Sequence, residues 1–199
     1  MKPIEKLSSL ACPLPLENVD TDQLIPARFM KESRANGYGR YLLHDVRFDS
    51  EGVPQDFVLN HADAETSEIL VARRNFGGGS SREAAVYALV DFGFRCVIAP
   101  SFGDIFTANS VNNGLLPAVV SERECEVLLA AIARGPAEVS VDLKDQTITF
   151  GDSTISFDIS PTWKLKLLNG WDDIDLTMAE TPTIERFREN YLNHYPWLG

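Results

Sequence analysis

The chain contains little cysteine and little positive charge, and each shortage excludes a class of protein. Its three cysteines, Cys12, Cys96 and Cys125, lie far apart and form no C-x-x-C pair, and their odd number does not fit a disulfide framework. Its 18 basic residues stand against 29 acidic ones, for a net charge of −11. This balance disfavours nucleic-acid binding, which needs a basic face, and binding to anionic membranes.

Long hydrophobic runs are also missing. No stretch reaches the roughly 20 apolar residues that a membrane span needs, and residues 1–10 lack the apolar centre of a secretory signal. Unpaired thiols are typical of a reducing compartment, so we predict a cytoplasmic protein. We predict one domain over 1–199, with a core at about 5–160 and a helical tail at about 161–199.

The middle third alternates strands with helices, which predicts an α/β fold with a partly parallel sheet flanked by helices. A period of two between residues 139 and 159 then predicts a β-rich annex of antiparallel strands. The first third is interpreted as irregular, with a mobile basic loop at 28–40. We predict strands at 68–72, 95–99 and 116–120, and helices at 80–92, 104–112, 122–134 (closed by Gly135-Pro136), 161–169 and from 181 onward.

The segment N-F-G-G-G-S-S-R-E at 75–83 joins a predicted strand to a predicted helix. Its glycines, Gly77, Gly78 and Gly79, allow a ligand to approach the main chain closely. The helix that follows begins with unpaired N–H groups and the positive end of its dipole. The three glycines are therefore a candidate anion-binding loop.

Three side chains after the glycines carry the chemistry of this segment. The hydroxyls of Ser80 and Ser81 lie at the predicted helix start, and Arg82 can hold a carboxylate through two parallel hydrogen bonds. A structural alternative stays open, because Ser80 and Glu83 have the spacing of a capping box. The P-loop and nucleophile-elbow patterns are absent from this segment.

Five segments, in order along the chain, resemble one known family. They read N-V-D-T-D-Q-L-I-P at 18–26, F-G-G-G-S-S-R-E at 76–83, S-F-G-D-I-F at 101–106, N-G-L-L-P at 113–117 and W-D-D-I-D-L-T at 171–177. They are similar to segments of the isopropylmalate isomerase small subunits, relatives of the aconitase swivel domain. The family usually has Cys where Gly78 stands and His where Ala84 stands, which leaves room for a related substrate.

The resemblance implies a swivelling β/β/α-type domain and a role for each candidate residue. Ser80 would be the catalytic base, acting as an alkoxide, and Ser81 and Arg82 would hold a substrate carboxylate. Arg28 and Asp22 are further candidates for substrate binding, near the entrance of the site.

The resemblance also implies what this chain needs from outside. The substrate would be a small dicarboxylic hydroxy acid, isomerised from 2-isopropylmalate to 3-isopropylmalate by dehydration and rehydration in leucine biosynthesis. A large subunit would supply a [4Fe–4S] cluster, and this chain would contribute no metal ligand. Two alternatives stay open: the small subunit of a methyl- or dimethyl-malate hydratase, or an inactive orphan swivel domain that serves as a binding module.

Overall fold

A seven-stranded mixed sheet organises the chain, in the strand order β4-β3-β2-β1-β5-β6-β7. The computed structural model describes residues 1–133 and 137–198, without the side chain of residue 198. The strands are β1 (Lys6–Leu14), β2 (Ile69–Ala72), β3 (Cys96–Ala99), β4 (Leu116–Val119), β5 (Glu138–Asp142), β6 (Thr147–Phe150) and β7 (Ser153–Ser156).

The helices cover both faces of the sheet and continue beyond it at the C-terminal end. They are α1 (Thr21–Leu24), α2 (His44–Arg47), α3 (Ala62–Glu65), α4 (Glu83–Phe92), α5 (Asp104–Asn112), α6 (Glu122–Ile132), α7 (Pro161–Asn169), α8 (Asp173–Ala179) and α9 (Thr181–His194). Short 3-10 turns lie at Ala27–Lys31, Arg34–Asn36, Gly39–Tyr41, Val58–Asn60 and Pro196–Leu198. Among the described residues, no helix is both long and apolar enough to cross a bilayer.

Strand β1 joins the two halves of the sheet. It pairs in parallel with β2, with Ala11 opposite Ile69, and antiparallel with β5, with Lys6 opposite Asp142. The interpretation of the first third as irregular was therefore wrong, because this segment holds the strand between the two halves. The antiparallel annex is confirmed as β5 to β7, and it continues the same sheet through β1.

Alternation along the parallel strands divides the core into two layers. In β2, Leu70 and Ala72 pack with α4 on one face, whereas Ile69 and Val71 pack with α6 on the other. All four side chains are fully buried, as expected for a strand covered by helices on both faces. This packing fixes the loops that leave the carboxyl ends of β1, β2 and β3 at one edge of the sheet.

Most predicted elements of the last two thirds are confirmed within a residue or two. The helices at 104–112 and 161–169 have the predicted bounds, and the latter ends at Gly170, whose φ is 70°. Helix α6 begins at Glu122, but its predicted end at Arg134 and the closing Gly135-Pro136 lie outside the described residues. Helix α8 was not predicted, and α4 begins three residues later than predicted.

Candidate active site

Two loops that the sequence separates widely are joined at one edge of the sheet. The loop after β1 and the loop after β2 pair through their backbones: Gly77 N–H donates to the Val19 carbonyl at 2.7 Å, and Thr21 N–H donates to the Gly78 carbonyl at 3.0 Å. Thr21 Oγ1 also donates to the Ser80 carbonyl at 3.0 Å. The loop at 18–26 therefore fixes the backbone of the glycine loop from both ends.

The loop after β3 adds a third layer to this edge. Phe76 N–H donates to the Ser101 carbonyl at 3.0 Å, and Gly103 N–H donates to the Phe76 carbonyl at 3.0 Å. Asn75 N–H donates to Ser101 Oγ at 2.8 Å. Three of the segments that carry the family resemblance thus form one hydrogen-bonded unit.

Gly77 is required by both its conformation and its surroundings. Its φ is 71°, and a Cβ placed there would lie 2.2 Å from the ring of Phe106. A Cβ at Gly103 would in turn lie 2.6 Å from the Gly77 carbonyl oxygen. The rings of Phe76 and Phe106 pack edge to face with centroids 5.5 Å apart, so Phe106 has little room to retreat. The glycine loop is therefore held against α5 at close backbone distance.

Ser80 and Ser81 lie on the exposed rim of this loop. The Ser80 carbonyl also accepts a hydrogen bond from Arg82 N–H at 2.8 Å. Together with the hydrogen bond from Thr21 Oγ1, this contact holds the backbone of Ser80 in place. The capping-box alternative was wrong: α4 has Arg82 at its N-cap without a side-chain cap, and its first residue is Glu83. The Ser80 hydroxyl makes no hydrogen bond to the described residues, so its backbone is fixed while its Oγ faces solvent.

Arg82 and Asp22, both candidates from the sequence, form an ion pair. Arg82 Nη1 donates to Asp22 Oδ1, and the Arg82 side chain is 21% exposed. Asp22 lies in the first turn of α1, and the capping box between Asp20 and Gln23 holds the start of that helix. The pair fixes the direction of the guanidinium, and the other N–H groups of Arg82 stay available to an anionic ligand.

Arg28 is engaged with another partner. Its Nη1 donates to Asp45 Oδ2 at 2.8 Å, its Nη2 contacts Asp45 Oδ1, and its guanidinium lies 4.4 Å from the centroid of the Phe29 ring. The hydrogen bond from Arg28 holds the pKa of the Asp45 carboxyl below its usual range. Within the part of the chain that the structure describes, no contact joins Arg28 to Ser80, Ser81 or Arg82.

Residues 28–40, which the sequence suggested to be a mobile loop, are packed on α4. The Arg34 guanidinium lies 3.2 Å from the centroid of the Tyr87 ring, and Tyr38 N–H donates to Asp91 Oδ2 at 2.8 Å. Gly39 lies against the Asp91 backbone so closely that a Cβ would be 2.6 Å away. Tyr87 and Asp91 were not predicted from the sequence, although they follow Glu83 by four and eight residues, a spacing that places all three on one face of a helix.

The two departures from the family pattern differ in their surroundings. A Cβ at Gly78 would lie 3.0 Å from Asn75 Oδ1, the end of a flexible side chain, so a larger residue needs only a small shift. Ala84 is 8% exposed and packs in the core layer beneath α4. The first departure therefore alters the rim of the loop, and the second alters the packing directly below it.

The thiols of this chain do not fit an iron–sulfur cluster. Cys12 lies in one core layer, and Cys96 and Cys125 lie in the other. Burial raises the pKa of the Cys12 thiol to about 12 and of Cys125 to about 11, and it also raises the pKa of Cys96. Cluster ligands are thiolates, which these positions disfavour. No group of three His, Cys, Asp or Glu side chains among residues 1–133 and 137–198 is placed to hold a metal ion.

Comparison with known proteins gives consistent matches. Residues 1–123 match the family model described as the aconitase C-terminal domain. The chain is 48% identical over 196 residues to the 3-isopropylmalate dehydratase small subunit of Jannaschia sp., covering 96% of this chain and 97% of that protein. It is 42% identical over 199 residues to the small subunit of Pelagibacter ubique, covering 100% of this chain and 98% of that protein.

A solved structure matches the fold. The crystal structure of a 3-isopropylmalate dehydratase from Methanocaldococcus jannaschii aligns with a TM-score of 0.65 and 24% sequence identity. The alignment covers 91% of this chain and 98% of that one. The α/β fold class predicted from the sequence is thereby confirmed.

Proposed function

Because this chain belongs to the family of 3-isopropylmalate dehydratase small subunits, we propose that it completes the active site of a hydro-lyase in leucine biosynthesis. The reaction interconverts 2-isopropylmalate and 3-isopropylmalate through loss and re-addition of water. The relatives do not favour the two alternatives, a hydratase for another substituted malate and an orphan binding module.

The observation that carries the proposal is the convergence of three loops at one exposed edge of the sheet. The loops after β1, β2 and β3 bond to one another through their backbones and present Ser80, Ser81 and Arg82 together. Such an edge, at the carboxyl ends of parallel strands, is where α/β sheets bind their ligands. Here the edge faces solvent, which suits a half-site that a second subunit closes.

We assign the proton transfer to Ser80. In the dehydration direction its Oγ accepts the proton from the carbon next to a substrate carboxylate, and in rehydration it returns that proton. An alkoxide needs stabilisation by nearby donors and positive charge, because a serine hydroxyl is a weak acid. Two hydrogen bonds to the Ser80 carbonyl, which fix its backbone, and the position of Arg82 two residues along the same loop support this assignment.

We assign substrate binding to Arg82 and Ser81, which would hold a carboxylate of the small dicarboxylic hydroxy acid. Asp22, proposed from the sequence as a substrate-binding residue, would act by orienting the Arg82 guanidinium. The main chain of the glycine loop would lie close to the same carboxylate. A substrate role for Arg28 would first require release of its hydrogen bonds to Asp45.

The proposed partner is the large subunit of the dehydratase. The cluster does not fit this chain's buried thiols, so we place a [4Fe–4S] cluster on the large subunit, where it would supply the Lewis acid for the departing hydroxyl. The net charge of −11 disfavours nucleic-acid and membrane binding, and the unpaired thiols support our placing the assembly in the cytoplasm.

The test combines the chain with its large subunit under anaerobic conditions and follows 2-isopropylmalate dehydration by ultraviolet absorbance. Ser80→Ala should lower kcat by roughly 10²–10⁴-fold, the usual contribution of a positioned general base. It should leave the fold of the chain unchanged, because the Ser80 side chain is exposed and makes no hydrogen bond to the described residues.

The matched control is Ser50→Ala, which removes an exposed hydroxyl from a turn remote in sequence from all three loops. Full turnover by Ser80→Ala would contradict the assignment of the base. Turnover of dimethylmalate with none of isopropylmalate would instead favour the alternative substrate.

A further inference from the structure

The last part of the chain forms a C-terminal arm, defined as α8, α9 and the residues up to Trp197 (173–197). None of the residues of α8 and α9, all of which the structure describes, is buried. The arm nevertheless exposes six large apolar side chains: Ile174, Met178, Ile184, Phe187, Tyr191 and Trp197. Phe187 is 68% exposed and Trp197 is 74% exposed, which is a high fraction for aromatic residues.

Four of the arm's aromatic rings form a continuous ladder. Phe187 and Tyr191 stack with centroids 5.9 Å apart, Tyr191 and Tyr195 lie 4.9 Å apart, and Tyr195 and Trp197 lie 5.5 Å apart. Contiguous exposed apolar surface marks interaction sites, and aromatic residues are enriched at the centres of protein interfaces. The ladder therefore has the composition of an interface that lacks its partner.

The arm is held at its base by a buried charge. Lys166 in α7, whose side chain is 4% exposed, donates to Asp173 Oδ1 at 2.6 Å and also contacts Asn112 Oδ1. Asp172 caps α8 by accepting hydrogen bonds from Ile174 N–H at 2.8 Å and from Asp175 N–H at 2.9 Å. Chain ends without such ties fray, so the start of this arm is anchored to the core in a defined direction.

The base of the arm is also continuous with the candidate active site. Asn112, which contacts Lys166, is followed by Asn113, whose Nδ2 donates to Glu83 Oε1 at 2.9 Å. Glu83 directly follows Arg82 at the start of α4. A partner that covers the Ser80 edge therefore lies within reach of the arm's base.

Charge decides between a second copy of this chain and a different partner. The arm carries five acidic residues against two arginines, and the whole chain has a net charge of −11. Contact between two identical arms would bring like charges together, which disfavours self-association. A partner with a basic rim around an apolar groove would complement the arm.

The extent of the family match also favours a different protein, rather than a second copy of this chain, as the partner of the arm. The match to the aconitase C-terminal domain ends at residue 123, well before the arm, whereas the separate small subunits align over the full chain. A domain that belongs to a longer chain is tethered to its neighbours, and a separate subunit must gain equivalent affinity from contacts.

We propose that the C-terminal arm docks on the large subunit of the dehydratase through its aromatic ladder. The inference rests on the proposed function, because that function names the partner. The arm supplies affinity and keeps the Ser80 edge in place over the partner's cluster, and it does not touch the substrate.

The test measures binding of the full-length chain to the intact large subunit, with the double variant Phe187→Ser/Tyr191→Ser. We expect Kd to rise by at least roughly tenfold, the scale of losing central aromatic contacts. The melting temperature of the free chain should stay unchanged, because both side chains are exposed. With saturating large subunit, kcat should return to that of the parent protein.

The matched control is Val127→Ser, which removes a half-exposed apolar side chain from α6. Equal affinity of the double variant and the control would overturn the inference. Loss of a self-dimer with unchanged binding to the large subunit would also overturn it, in favour of a second copy. If the parent chain does not bind the large subunit, both the proposed function and the docking of the arm are overturned. If the parent chain binds and the double variant binds more weakly, but the complex does not turn over isopropylmalate, only the proposed function is overturned.

Discussion

The substitution Gly77→Ala tests the close contact between the glycine loop and α5. Two separate costs are expected, one from the backbone and one from packing. Alanine disfavours the φ of 71° that Gly77 adopts, at about 1–2 kcal/mol. Its Cβ would also lie 2.2 Å from the Phe106 ring, and overpacking of this kind costs about 1–3 kcal/mol.

Gly52 provides a control that separates these two costs. Its φ of 80° is close to the 71° of Gly77, but a Cβ there would meet nothing within 4 Å. Gly52→Ala should therefore show the backbone cost alone, a loss of about 1–2 kcal/mol. Gly77→Ala should lose roughly 2–5 kcal/mol, the sum of both costs.

The assay is urea unfolding of the three proteins, followed by circular dichroism. Since 1 kcal/mol shifts the melting temperature of a chain this long by about 2–4 °C, thermal unfolding gives an independent reading. The double variant Gly77→Ala/Phe106→Ala, compared with Phe106→Ala alone, should show most of the packing cost removed. If Gly77→Ala is no more destabilising than Gly52→Ala, then Phe106 moves aside freely and the glycine loop is not held as described.

Two further predictions concern titratable groups. A thiol-specific reagent at pH 8 should label the folded chain slowly, but it should label all three cysteines of the unfolded chain. Burial in the folded chain raises the pKa of Cys12 to about 12 and that of Cys125 to about 11, so few thiolates are available to react. Rapid labelling of the folded chain would contradict this burial. Asp45→Asn should lower the melting temperature near pH 7 but not near pH 2. The hydrogen bond from Arg28 lowers the pKa of Asp45 in the folded chain. The ionised carboxylate therefore stabilises the fold above the unfolded-state pKa of about 3.9, and this stabilisation is lost as the pH falls through the folded-state pKa. An equal effect of Asp45→Asn at both pH values would refute this linkage.

Hydrophobic periodicity predicted the middle and last parts of the fold well. Helices such as α6 and strands such as β3 have local signals that agree with their packing, since the apolar face of α6 follows directly after its capping residue Ser121 and all four residues of β3 are buried. β1 has no such signal. Its sequence, K-L-S-S-L-A-C-P-L, mixes serines with a proline, and it becomes a strand because β2 and β5 both pair with it.

For the candidate site, the sequence indicated the residues but not their partners. Ser80, Ser81 and Arg82 lie together as adjacent residues must, but the pairing of Arg82 with Asp22 depends on the junction of two distant loops. The capping-box spacing of Ser80 and Glu83 was misleading because Asn113, far along the chain, hydrogen-bonds Glu83. The division of the chain at about residue 160 stays a prediction, as do the roles of the site residues.

The position of β1 has a consequence for synthesis of the chain. β1 and β2 emerge early and pair with each other, but the second edge of β1 is filled only by β5, through contacts such as Lys6 with Asp142. At about 5–20 residues per second, that partner strand follows β2 by several seconds. During this interval the ribosome-bound chain carries an open strand edge at the centre of its future sheet, which is a template for pairing with other chains. Nascent chains that stall before β5 should therefore be the aggregation-prone species of this protein, and chaperones that bind extended segments should act on them first.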